Sequence, residues 1–419
     1  MLVKEHVAKE NGIDHTMALM QEGYSFIHNR VKQFHSDIFE TRLLGEKVIC
    51  MTGEEATAVF YDPERFMKNG AAPKHVQRTL FGENAIQCMD GKAHLHRKQL
   101  FLSLTASEHQ KKLADLVMLK WEAALQEWMT KDQVILFDEA AKVLCEAACE
   151  WAGVPLAKSE TKDRAEDFCA MVDGFGAVGT RYFKGKNARS RAEEWIVGLI
   201  EEVRSGTLPI EGGTALHSMA HHREYDGTLI AANMAAIELI NLLRPIVAIS
   251  TFITFSALAL HHYPECLAKL TGSDNQYYEL FAQEVRRYYP FAPFLGARVK
   301  KDFVWKECYF TKGTLVLLDI YGTNHDVRIW EDPFEFEPER FRNWKGNLYS
   351  FIPQGGGATD KTHRCPGEGI SVELMKKSID FLVNKVIYTV PKQTLRYPMD
   401  RIPTLPESGF IITNVKAKA

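Results

Sequence analysis

Cys365 has the strongest chemical claim in this chain. It lies in His363-Arg364-Cys365-Pro366-Gly367-Glu368-Gly369, which opens a helix after the run Pro353-Gln354-Gly355-Gly356-Gly357. A thiolate at that position sits near a helix N-terminus, where backbone N–H groups and the dipole favour an anion. Glycines on both sides let backbone approach something flat and bulky. Bound to heme iron, such a thiolate would push electron density toward the metal and favour O–O cleavage. A structural thiol in a turn is the other reading these residues leave open.

Arg244 comes next. It occurs in Ile240-Asn241-Leu242-Leu243-Arg244-Pro245-Ile246-Val247-Ala248-Ile249, inside a helical stretch that is apolar nearly all round. Proteins avoid a buried, unpaired cation, so something anionic should meet it. A protein carboxylate or a heme propionate would serve. A fatty-acid carboxylate suits better, because a guanidinium fork accepts it in two-pronged fashion. Pro245 removes one backbone hydrogen bond and kinks the axis, at a cost of ~3 kcal/mol or more. Farther on, Glu284 and Arg287 share a helix face, and Pro338-Glu339-Arg340-Phe341 adds an arginine upstream of the cysteine. Either charge pair alone reads as a solvated face, worth little.

In order and spacing, these motifs resemble the cytochromes P-450. That family has a Glu-x-x-Arg helix pair, a downstream Pro-Glu-Arg-Phe motif and a Cys-x-Gly loop, and the likeness covers essentially the whole chain. It implies one mainly α domain over residues 1–419 with a small β region. Heme b would lie between the long central helix and the Cys365 loop, with Cys365 as the iron ligand. Arg340 would complete an ion-pair cluster with Glu284 and Arg287. The resemblance also gives His94, Lys98 and His363 the task of gripping heme propionate. On spacing alone, His94 and Lys98 are simply one helix face.

Two departures point to a branch of the family. Common members read Phe-x-x-Gly-x-x-x-Cys, but Ala358 and Lys361 occupy two of those places, and the glycine run comes earlier. The central helix also lacks an acid–alcohol pair near its middle, since Glu238 is not followed by an alcohol. Its Arg244-Pro245 pair looks like that of the bacterial fatty-acid peroxygenases, which use hydrogen peroxide. There the substrate carboxylate, held by the arginine, stands in for the missing acid: it takes a proton from peroxide and returns it to the departing oxygen.

The implied activity is peroxide-dependent hydroxylation of long-chain fatty acids at the β carbon, with some α product. Arg244, Pro245, Gln87 and Cys365 would be the catalytic positions. Leu80-Phe81-Gly82-Glu83-Asn84-Ala85-Ile86-Gln87 resembles the branch's heme-facing loop, with Phe81 and Gln87 lining the substrate space. Glutamine at the Gln87 position goes mainly with hydroxylation, and histidine with decarboxylation to terminal alkenes. Val172 and Phe291 match chain-facing positions and could equally be core residues. The rivals are an alkene-forming decarboxylase, a conventional monooxygenase with separate redox partners, and a heme-thiolate sensor or lipid binder without turnover.

These residues need a large helical scaffold, and the chain can supply one. Its 419 residues are 46% hydrophobic and 25% charged, with net charge −3. Nothing advertises nucleic acid as a partner. The eight cysteines include no short-spaced zinc set, and Cys145 and Cys149 read as buried small hydrophobes. The N-terminal residues lack a signal-peptide pattern. The longest apolar stretch, 246–260, falls short of the ~20 residues needed to span a bilayer. The expectation is a cytoplasmic protein without membrane insertion or an obligatory redox partner. Residues 1–70 mix short helices with β-like runs such as 47–52, and helical periodicity dominates from about 75 to 270. Clear helices are expected at 137–151, 191–203, 228–262, 277–289 and 370–387, with strands at 303–305 and 314–321. The coil over 332–369 is long enough to suggest function.

Overall fold

The computed structural model describes residues 7–272 and 276–418. The first six residues, on which the reading of the N-terminus rests, lie outside them. Its centre is one helix, Ala232–His262, with 25 buried residues covering every face. Such all-round apolarity stabilises a helix only when neighbours surround it. Helices Leu136–Ala152, Thr161–Gly174, Thr180–Ser205 and Glu368–Asp380 pack against it. By length and composition it could cross a membrane, which the shorter apolar stretch expected at 246–260 did not suggest, but 94% of its most apolar window is buried inside the protein.

The central helix starts at Ala232, four residues later than the sequence pattern suggests. Asp226 explains the delay. Its Oδ1 accepts from both the Thr228 amide (2.9 Å) and the Thr228 hydroxyl (2.6 Å), and Arg223 bridges to Leu229, so the preceding segment is committed to a turn. Pro264 opens the next helix and ends this one. Pro245 lies within the helix without terminating it.

A six-stranded sheet flanks the helical body, in the order Ala8–Lys9, Ile38–Leu43, Glu46–Met51, Leu315–Asp319, Phe294–Val299, Phe66–Met67. Leu315–Asp319 is shorter than the expected 314–321 because the Asp319 carboxylate accepts from the Gly322 amide (2.8 Å) and starts a short helix, Ile320–Asn324. The last helix also stops early, at Asp380. After a wider turn the chain becomes strand Val386–Thr389, paired antiparallel to Ile411–Ala417. Cys145 and Cys149 are buried, as expected of small hydrophobes.

Candidate active site

The Cys365 loop is held from several directions. The Cys365 amide donates to the Gln354 carbonyl (3.0 Å). Gly355 has φ +98°, and a Cβ there would lie 2.6 Å from the Tyr61 hydroxyl oxygen. Lys98, from helix Gly91–Leu104, donates its ammonium to the Thr362 carbonyl (2.6 Å) and to the Arg364 carbonyl. Arg286 reaches Glu368 and, at 2.8 Å, the Gln354 side-chain oxygen. Burial pushes the Cys365 thiol above its ordinary value, against the opposing pull of the Gly367 N–H, Lys98 and Arg286. In such a setting a bound metal displaces the proton.

Across from this loop, the central helix presents Glu238, Asn241 and Arg244 at three-residue intervals. Arg244 is 6% exposed, and its one hydrogen bond among the described residues is long, from Nη2 to Asn241 Oδ1 at 3.4 Å. Its Nε is buried with no partner. Burial pulls the guanidinium down to about 9; nearby Arg189 adds to the effect and the Cys365 charge opposes it. No carboxylate among the described residues pairs with it. Of the three anions the sequence left open for Arg244, a protein carboxylate is thus not the partner here. The Asn241 amide donates to the Phe81 carbonyl (2.9 Å) and to Gln87 Oε1 (3.4 Å), so Phe81, Gln87 and Arg244 meet around one side chain.

On the loop's other flank is a basic cluster. The rings of His94 and His363 stack with centroids 3.8 Å apart. Lys68 donates to the Gly296 carbonyl (2.9 Å) and lies over the Phe60 ring. Burial lowers His94 to about 3, Lys68 to about 7 and Lys98 to about 8. Asp90 accepts from the Lys68 amide (2.9 Å) and the Asn69 amide (2.8 Å) and sits 3.7 Å from His363, while Asp360 lies within electrostatic reach of Lys98. Among the described residues, four desolvated bases outnumber these two acids and make a site for further anions. Together with the Cys365 thiol, this donor set fits the expected heme and its two carboxylates.

Glu284 and Arg287 form a two-pronged pair with both side chains fully buried, not the solvated face that spacing alone suggests. Arg340 joins Glu284 at 3.2 Å. Val172 is buried but lies outside the main apolar core, as does Ala248, one turn past Arg244. Phe291 packs on Phe252 of the central helix with ring centroids 5.0 Å apart. Asn241, Arg97, Lys68 and Asp90 join the site through tertiary contacts, and Glu238, in sequence only an acid without its alcohol, joins it through Arg97 and Ile86. The legible signal was three polar residues spaced by three in an otherwise apolar helix.

The family model for Cytochrome P-450 matches residues 273–395. Among curated relatives, cytochrome P-450 4e5, mitochondrial, of Drosophila mettleri is 32% identical over 26% of this chain, and the chain spans only 20% of that protein's length. Cytochrome P-450 716A2 of Arabidopsis thaliana is 22% identical over 82% of this chain and 76% of its own. Solved structures match more completely. Cytochrome P-450EX alpha with myristic acid is 44% identical, with TM-score 0.95 over 98% of this chain and 99% of its own. Cytochrome P-450SP alpha in complex with (R)-ibuprophen is 42% identical, with TM-score 0.95 over 97% and 99%. A single-residue variant of cytochrome P-450 OleT in complex with arachidonic acid is 35% identical, with TM-score 0.96 over 99% of both chains.

Proposed function

This chain belongs to the cytochrome P-450 family, and on that premise we propose that it is a heme-thiolate peroxygenase, using hydrogen peroxide to hydroxylate long-chain fatty acids at the β carbon with some α product. The observation that carries this reading is Arg244, a buried guanidinium within electrostatic reach of Cys365 and without a carboxylate partner among the described residues. Structures of similar chains with myristic and arachidonic acid support a fatty-acid substrate.

Cys365 would ligate the heme iron, while His94, Lys98 and His363, joined by Lys68, would hold the heme carboxylates. When bound, the heme supplies the oxygen-transfer chemistry. The chain's own part is recognition and proton handling. Arg244 offers Nε and an Nη group to the substrate carboxylate, and the long contact to Asn241 yields easily to a charged acceptor. The held carboxylate is a base of ordinary strength close to the reacting centre. Held there, it would be placed to accept a proton from one peroxide oxygen and give it to the other, which leaves as water when the O–O bond breaks. Pro245 brings no hydroxyl or N–H to this turn, so the substrate's own acid fills the role. Phe81, Val172 and Phe291 would flank the alkyl chain, and pinning its acid end brings the α and β carbons nearest the oxidant.

Burial of the most apolar helix in the core supports a protein without membrane insertion by that segment. The test is product analysis with myristic acid and peroxide alone. β-Hydroxymyristate formed without a reductase is the expected result. A requirement for NAD(P)H and redox proteins would instead make the chain a conventional monooxygenase, and a terminal alkene as main product would make it a decarboxylase.

A further inference from the structure

Building on the peroxygenase reading, we propose that Glu238 is a positioning residue of the site, one that sets the directions in which Arg244 and Gln87 present their polar atoms. Glu238 has no exposed surface. It lies six positions before Arg244 on the central helix and makes no ion pair with it. Its Oε1 accepts from the Ile86 amide and from Arg97 Nη1, both at 2.8 Å. Its Oε2 accepts from Asn241 Nδ2 at 3.1 Å.

Each contact does something for the site. The Ile86 bond pins the short turn Ile86–Cys88, which carries Gln87. The Asn241 bond decides which way that amide faces. A carboxylate can only accept, so Asn241 must point its NH2 toward Glu238. The Phe81 carbonyl at 2.9 Å and Gln87 Oε1 at 3.4 Å are acceptors on the same side. The Asn241 oxygen is therefore left for Arg244 Nη2. Arg97, itself paired with Glu224, supplies the charge that lets an acid remain so deep.

Glu238→Gln keeps the shape and replaces one acceptor with a donor. It should turn the Asn241 amide or break its contact, leaving Arg244 and Gln87 without their present partner. With the heme-loaded protein, heme content and the reduced carbon monoxide spectrum should match those of the wild type. The spectral dissociation constant for myristic acid should rise roughly tenfold, a size typical of uncoupling one member of a contact network, and the α-to-β product ratio should shift. Asn241→Ala, which leaves the Arg97 and Ile86 bonds of Glu238 in place, should give the same changes. The double variant should be no worse than the worse single one. A merely structural role would lower thermal stability without altering affinity or product ratio. Affinity within twofold of wild type with an unchanged ratio overturns the proposal, as do fully additive losses in the double variant. If Glu238→Gln does not fold, unchanged affinity and ratio in Asn241→Ala overturn it equally. A wild type that neither binds nor oxidises myristic acid with peroxide overturns the functional reading, and this proposal with it.

Discussion

Arg287 and Glu284 meet as a fork on a fork, Nε to Oε2 and Nη2 to Oε1, both at 2.7 Å. The pair also organises the long coil before the cysteine. Arg287 donates to the carbonyls of Asn324 (3.0 Å), Pro333 (2.8 Å) and Glu335 (3.1 Å), and Glu284 accepts from the Glu337 amide (2.8 Å). Backbone groups without a ladder partner are satisfied this way, which lets a structureless segment lie against the core. Glu284→Gln strands the buried guanidinium and should cost about 3–5 kcal/mol. Urea unfolding and heme content per chain measure it; a loss under 1 kcal/mol would mean the pair is solvated in solution.

Cys365→Ser removes the only sulfur in the loop between Gly355 and Gly369. The thiolate-type spectrum of the reduced carbon monoxide complex should vanish. An unchanged spectrum would put the iron ligand elsewhere.

Arg244→Ala should weaken fatty-acid binding by on the order of 3 kcal/mol, since a two-pronged charge-assisted contact in a poorly solvated site is lost. Heme should stay bound with a normal spectrum, because Lys98 and the stacked histidines, not Arg244, contact the cysteine loop. Titration of myristic acid into the variant reads this directly. Undiminished binding would show that the carboxylate is held elsewhere, and loss of heme would make a propionate the partner of Arg244.

Gln87 is neutral, and its oxygen faces the Asn241 amide at 3.4 Å. Gln87→His places a group that can carry a proton near neutral pH beside the substrate's acid end. The alkene fraction should rise, as measured by gas chromatography. If the wild type already yields mostly alkene, the hydroxylase assignment gives way.

His325 is one source of pH-dependent stability. It is 2% exposed, its Nδ1 lies 2.9 Å from the Tyr321 carbonyl, and burial followed by the Arg287 charge pulls its pKa down to about 3. The unfolded chain protonates this ring near the ordinary value of ~6.5. Between those limits the unfolded state binds more protons, so stability falls as pH falls. The contribution is about 2 kcal/mol on going from pH 7 to pH 5. His325→Gln should flatten the pH slope of the urea midpoint in that window by about one proton's worth; an unaltered slope would refute the assignment.

Much of this protein is local in origin and was legible in the sequence. The all-round apolar run announced a central helix, Pro264 its end, and the glycines around Cys365 a close-approach loop. Arg244 stood out because a guanidinium in such a helix demands an anion. Helix and strand ends were displaced wherever a side chain captured a backbone amide, as Asp226 and Asp319 do. Tertiary structure decided what meets what. Glu284 and Arg287 look like a surface pair until Arg340 and the coil close over them. Glu238 looks idle until Arg97 and Ile86 arrive from segments about 140 and 150 residues away. Burial lifted the Cys365 thiol although its helix terminus argues the other way. Periodicity and propensity act within a few residues of chain. Desolvation and hydrogen-bond satisfaction depend on which distant segments pack together, and that only the folded core determines.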